Sequence, residues 1–224
     1  MRALLVAHGQ PSDPAPAEEE LALLAERVAA QLPGWQVGAA TLAAPGALAR
    51  AVRGGTGLVY PLFMAGGWFT RVHLPQRLGE AGGHGWRVLE PFGCDPAVQD
   101  LTVTLAAEAQ AAGATELLLA AHGSFRSPAP AEIAFAMAAR IARETELRRV
   151  EAAFIDQAPQ LAQVKGFGPQ AVCLPFFAAR GGHVQDDLPA VLTGFPGPIL
   201  PPVGVDARVP ALIARAIAAQ VRPA

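Results

Sequence analysis

The sequence predicts an α/β protein built from two homologous lobes. Each lobe is read as a four-stranded, mainly parallel sheet flanked by helices, with a cleft between the lobes. Three observations carry this. First, AHGQPSDPAPAE (7–18) and AHGSFRSPAPAE (121–132) agree at eight of twelve positions, at an offset of 114 residues. Second, that offset recurs along the chain. It pairs Ala44-Pro45 with Ala158-Pro159, Phe63 with Phe177, and Leu74-Pro75 with Leu188-Pro189, then drifts to 111 where Gly93-x-Asp95 meets Gly204-x-Asp206. Third, each half alternates short apolar runs with stretches of helical spacing. The halves are placed at 1–113 and 114–224.

The elements follow in order. ALLVA (3–7) is a continuous apolar run ending in His-Gly, as a strand buried on both faces reads. Glu18 to Leu32 shows helical spacing of Leu21, Leu24, Val28 and Leu32, with three glutamates at the positive end of the helix dipole. VGAATL (37–42), GLVYPLF (57–63) and WRVLEP (86–91) complete the first sheet. Asp95 is placed to cap a helix that begins at Pro96. ELLLAA (116–121), VEAAFI (150–155), AVCLPFF (171–177) and GPILPP (197–202) are their counterparts. Ligands of such sheets bind beyond the carboxyl ends of the strands. His8, His122, Asp156 and the loops after Phe63 and Phe177 fall there.

Composition narrows the function. Of 224 residues, 52% are hydrophobic and 16% charged, so a packed core is within reach. A net charge of −2 and the absence of a basic surplus argue against nucleic-acid binding. Lys165 is the one lysine among 17 basic residues, so an anionic ligand would be met by arginine. Two cysteines, Cys94 and Cys173, exclude a disulfide framework, a CxxC pair and a four-cysteine cluster, and read as buried apolar residues. The apolar start is too short for a signal peptide and no run is long enough to span a membrane, so a cytoplasmic protein is expected. There is no G-x-S-x-G elbow and no Walker loop. The start LLVAHGQ lacks the arginine that a histidine phosphatase would carry before its histidine.

AHGSFRSP (121–128), FIDQAP (154–159) and LPFFAARGGHVQDDLP (174–189) together resemble the class II chelatases of the CbiX type, in their long two-half form. The resemblance spans nearly the whole chain. It implies ATP-independent insertion of cobalt or iron into sirohydrochlorin or a related tetrapyrrole, in cobalamin or siroheme synthesis. The divalent metal is then a substrate, with no organic cofactor and no iron–sulfur cluster. By motif, the implied metal ligands or proton acceptors are His122 and His183, joined by Asp156. The first half departs from this pattern. At the 114 offset its counterparts are His8, Leu42 and Phe69, while His73 takes the place of Asp187.

The chemistry fits these residue types. Metal insertion removes two pyrrole N–H protons, and a neutral imidazole accepts a proton near neutral pH. Two imidazoles and a carboxylate suit cobalt or iron and leave positions open for the macrocycle. Asp156 serves either as a ligand or as the group that orients an imidazole. A macrocycle bearing eight carboxylates calls for arginines: Arg126 and Arg180 lie within the motifs, and Arg71 lies in the first-half counterpart. His8 is placed with the substrate-binding residues, although a structural role fits it equally. His84 reads as a solvated loop residue and Phe176-Phe177 as core. The rival reading is a metal or tetrapyrrole carrier without turnover. A monomer is expected, since two halves in one chain can form the cleft.

Overall fold

The computed structural model describes residues 1–221. The side chain of His183 lies outside the described residues. Both halves form parallel α/β units, as the alternation predicted. In the first, β1 (Arg2–Ala7), β2 (Gln36–Thr41), β3 (Gly57–Pro61) and β4 (Trp86–Val88) form a sheet of order β2-β1-β3-β4. In the second, β5 (Glu116–Ala121), β6 (Arg149–Phe154) and β7 (Ala171–Pro175) have the order β6-β5-β7. Every pairing is parallel. The apolar runs that announced β1 and β5 occupy the sheet centres, where Leu4, Leu5, Leu117, Leu118 and Leu119 are buried. Truncating one such leucine to alanine typically costs ~2–5 kcal/mol.

The fourth strand expected at 197–202 shrinks to one bridge between Cys173 and Ile199. Around it, the Cys173 amide donates to the Pro198 carbonyl and the Leu200 amide to the Cys173 carbonyl. Pro198, Pro201 and Pro202 have no N–H to extend the ladder. The helix expected from Glu18 starts earlier: α1 runs Pro14–Ala29, with proline in its first turn. The glutamates therefore sit beyond the first turn. Glu18 has a different task, accepting the Thr41 amide at 2.7 Å and so tying α1 to the end of β2.

The remaining helices are α2 (Ala47–Val52), α3 (Leu74–Glu80), α4 (Pro96–Ala111), α5 (Ala129–Glu144), α6 (Leu188–Val191) and α7 (Val209–Ala218). Here the division at residue 113 needs correction. Among the described residues the compact units are 1–95 with 207–221, and 96–206. Each repeat ends in a helix that leaves its own sheet. α4 buries Val98, Leu101 and Ala106 and packs against α5, where Arg140 reaches Asp100 at 2.6 Å. α7 packs against α1 and β3. The repeat is thus a unit of sequence, while the packed unit takes its last helix from the other half.

Candidate active site

β1 and β5 each end in Ala-His-Gly, and the glycine is a conformational requirement. Gly123 has φ +76°, and a Cβ there would lie 2.7 Å from Gln157 and 3.0 Å from the Phe154 Cβ. Gly9 has φ +74° and the same close approach to Thr41. The chain therefore turns tightly past the neighbouring strand, leaving the preceding histidine at the carboxyl end of the sheet.

In the second unit this turn sets His122 against Asp156. The Asp156 amide donates to the His122 carbonyl at 3.0 Å, fixing the backbones in register. The side chains meet with Nδ1 of His122 3.3 Å from Oδ2 of Asp156 and 3.0 Å from the Gly123 carbonyl oxygen. The Gly123 carbonyl can only accept, which places a proton on Nδ1. In that tautomer Nε2 is the ring's basic nitrogen, the atom that can bind a metal or take a proton. Exposures of 41% for His122 and 34% for Asp156 leave the pair open to a substrate.

One residue that the motif reading passed over supports this pair. Gln157 accepts the Ser124 amide at 2.7 Å through its side chain, clasping the His122 loop from the Asp156 side. Gln157 is an insertion relative to the first half, and it changes a correspondence. Strand register pairs Ala7 with Thr41 and Ala121 with Phe154. Leu42 and Ile155 then match, each packed against its own core. Ala43, whose amide donates to the His8 carbonyl at 2.9 Å, stands where Asp156 stands. The counterpart of Asp156 is therefore Ala43 and not Leu42. FIDQAP is one residue longer than TLAAP (41–45), and that length difference was the available signal.

His183 opens a π-helical turn, His183–Asp187, that runs into α6. Phe69 opens the equivalent turn, Phe69–His73, before α3. The correspondence of Phe69 with His183, and of His73 with Asp187, thus holds in the backbone. In the first unit the Phe69 ring stacks on His8 at 5.2 Å between centroids and tilts against His73 at 4.8 Å. The two positions that hold histidines in the second half are thus in contact in the first. Among the described residues, no three His, Cys, Asp or Glu side chains gather in a metal-binding group.

The arginines are placed less closely. Arg126 is exposed on the loop after His122, with its amide bonded to the Ser124 hydroxyl at 3.1 Å. Arg180 is exposed on the loop that leads to His183. Arg71 is exposed on the first unit's π turn. His84 is exposed, while Phe176 and Phe177 are buried, as the sequence suggested. Burial pushes the Cys173 thiol up to about 12, so it offers no thiolate to a metal at neutral pH.

Comparison with known proteins gives this arrangement a context. A family model described as CbiX matches residues 116–220. The chain is similar to the solved structure of CbiX, the terminal enzyme for biosynthesis of siroheme in denitrifying bacteria. Identity is 47% and the TM-score 0.91, covering 99% of this chain and 100% of that one. The fold is shared with the sirohydrochlorin chelatase SirB from Bacillus subtilis subspecies spizizenii in complex with cobalt. There identity is 16% and the TM-score 0.68, over 97% of this chain and 93% of that one. SirB from Bacillus subtilis with Fe3+ gives 15% and 0.68, over 97% and 94%. No curated protein matches the chain significantly.

Proposed function

Because the chain belongs to the CbiX family of class II chelatases, we propose that it inserts a divalent metal ion, cobalt or iron, into sirohydrochlorin or a related tetrapyrrole without ATP. The observation that carries this reading is the His122–Asp156 pair at the strand ends, with Nδ1 of His122 turned to the Gly123 carbonyl and the Asp156 carboxylate. His183 is the second imidazole of the proposed centre. The contact of Phe69 with His8 supports its convergence on His122, since those residues hold the same two positions in the repeat.

The reaction exchanges two pyrrole N–H protons for one divalent ion, so charge balances within the macrocycle. In this proposal Nε2 of His122 and the His183 imidazole bind the incoming metal or take a pyrrole proton. Asp156 holds the His122 ring in its tautomer and stabilises the imidazolium that forms on proton uptake. Arg126, Arg180 and Arg71 meet substrate carboxylates, with His8 beside the macrocycle. Mass action drives the exchange, since the metal–macrocycle complex is far more stable than the labile ion at the protein.

Anaerobic incubation of the protein with sirohydrochlorin and Co2+ or Fe2+, followed by absorbance, tests this. Multiple turnovers per protein molecule are the expected result. Binding that stops at one equivalent would instead identify a carrier.

A further inference from the structure

We propose that the first unit, where Ala43 and Phe69 replace the carboxylate and second imidazole, is a stacking platform for the flat face of the tetrapyrrole, with the Trp68 indole as its contact ring. The inference rests on the chelatase reading for the identity of the ligand. It does not rest on the metal centre, because every group involved belongs to the first unit.

The rings form a continuous series. His8 stacks on Phe69 at 5.2 Å and 22°, and Phe69 tilts against Phe63 at 5.0 Å. Phe69 also meets His73 at 4.8 Å, and His73 stacks on Trp68 at 5.2 Å and 22°. Phe63 anchors the series to the hydrophobic core. Trp68 at the other end is 60% exposed, and Val72 one turn on is 49% exposed. A large indole left that open while held by a stacked neighbour is suited to receive a flat aromatic ligand.

The turn that bears these rings is held in place. The Thr70 hydroxyl is bonded to both the amide and the carbonyl of Gly67, at 3.0 and 3.2 Å, and Thr70 is buried. The Arg71 amide donates to the Gly67 carbonyl at 2.9 Å. Trp68 is therefore presented by ordered backbone, and little ordering entropy is lost when a ligand stacks on it.

Charge selects the occupant. Arg71 is exposed on the same turn as these rings, so the platform offers an aromatic surface and a guanidinium together. A planar macrocycle edged with carboxylates satisfies both at once: its π face covers the indole and a peripheral carboxylate pairs with the guanidinium. The loss of ligand residues then has a positive side. A first-half site with no carboxylate and one imidazole position filled by Phe69 holds the substrate without competing for its metal.

The test is an anaerobic titration of the full-length protein with metal-free sirohydrochlorin, reading tryptophan emission, alongside steady-state chelation kinetics. The wild-type protein is expected to show quenching that is lost in Trp68→Ala. Trp68→Ala should raise both Kd and KM by about tenfold while kcat stays within about twofold, and Trp68→Phe should restore most of the affinity. Because Trp68 is exposed, both variants should fold, which circular dichroism checks. Turnover by Trp68→Ala with unchanged KM and Kd would overturn the platform and leave the chelatase reading standing. Trp68-dependent binding by a wild-type protein that never turns over would do the reverse. No binding at all would overturn both.

Discussion

The amide of Gly204 donates to the carbonyl of Phe177 at 2.9 Å. The repeat builds the same contact between Gly93 and Phe63 at 3.0 Å. In both places a Cβ would strike backbone: the Ala178 carbonyl beside Gly204 and the Met64 carbonyl beside Gly93. These glycines therefore let the turn after the fourth strand position lie directly on the loop after the third. In the second half that loop leads to Arg180 and His183. Gly204→Ala is expected to cost about 1–3 kcal/mol of stability by overpacking and to lower kcat. Gly93→Ala should cost similar stability but act mainly on KM, since its loop leads to Trp68. Urea midpoints and steady-state kinetics on both variants separate these effects, and equal kcat losses would contradict the assignment of the metal centre.

Asp156 offers a finer test. Its carboxylate lies 3.3 Å from Nδ1 of His122, and an amide oxygen can take the same place without the charge. Asp156→Asn should therefore keep the tautomer and lose only imidazolium stabilisation, whereas Asp156→Ala loses both. Partners of this kind typically cost 10–100-fold in metal affinity or activity when removed. The expected order of activity is wild type, then Asn, then Ala. An Ala variant with wild-type kcat and metal KM would remove Asp156 from the mechanism.

The two halves predict unequal histidines. His122→Ala and His183→Ala should each lower the chelation rate by about 10²–10⁴, the usual loss for a missing proton acceptor. His8→Ala should lose far less, because Ala43 and Phe69 leave His8 without a carboxylate or a second imidazole at the equivalent positions. Paired rates at saturating metal decide this. If His8→Ala is as inactive as His183→Ala, the working centre draws on both halves.

Much of this was legible because duplication prints the same strand ends twice. β5 lies where ELLLAA predicts, and both histidines follow their strands directly. What was not legible has physical causes. The exchange of α4 and α7 depends on packing partners remote in sequence, and helical spacing says nothing about which sheet a helix covers. Three prolines within an apolar segment turned a strand into a single bridge. A constant offset concealed Gln157, so Leu42 was matched to Asp156 until strand register showed otherwise. The Trp68 platform has no signature in pattern, because ring stacking among residues 8, 63, 68, 69 and 73 exists only after folding.

Alkaline conditions should weaken the fold through Cys173. Its thiol ionises near 9.0 when unfolded, and burial raises it to about 12 in the native state. Between those values the native state keeps a proton that the unfolded state has lost. Stability from this group is complete below pH 9 and falls as pH rises, by about 1.4 kcal/mol per unit. Cys173→Ala should have a shallower alkaline limb in urea unfolding measured from pH 8 to 11. An identical slope in the two proteins would show that other groups govern it.

The last prediction reverses the degeneration of the first half. Ala43 has the backbone place of Asp156, with its amide 2.9 Å from the His8 carbonyl, and Phe69 has the place of His183 with its ring against His8. His73 also lies against Phe69, 4.8 Å away by centroid. The double substitution Ala43→Asp with Phe69→His therefore sets a carboxylate and a new imidazole beside two existing histidines. Imidazole and carboxylate donors of this kind suit cobalt. The variant is expected to bind one more equivalent of Co2+ than the wild type in equilibrium dialysis, with new visible absorbance from the added site. Either single substitution alone should bind the added ion about tenfold or more weakly than the pair. Because Phe69 supports Trp68, the same variant should also lose affinity for metal-free sirohydrochlorin. A folded double variant with wild-type cobalt stoichiometry would mean that strand-end backbone equivalence does not carry side-chain convergence with it, and the case for His122 and His183 as partners would weaken accordingly.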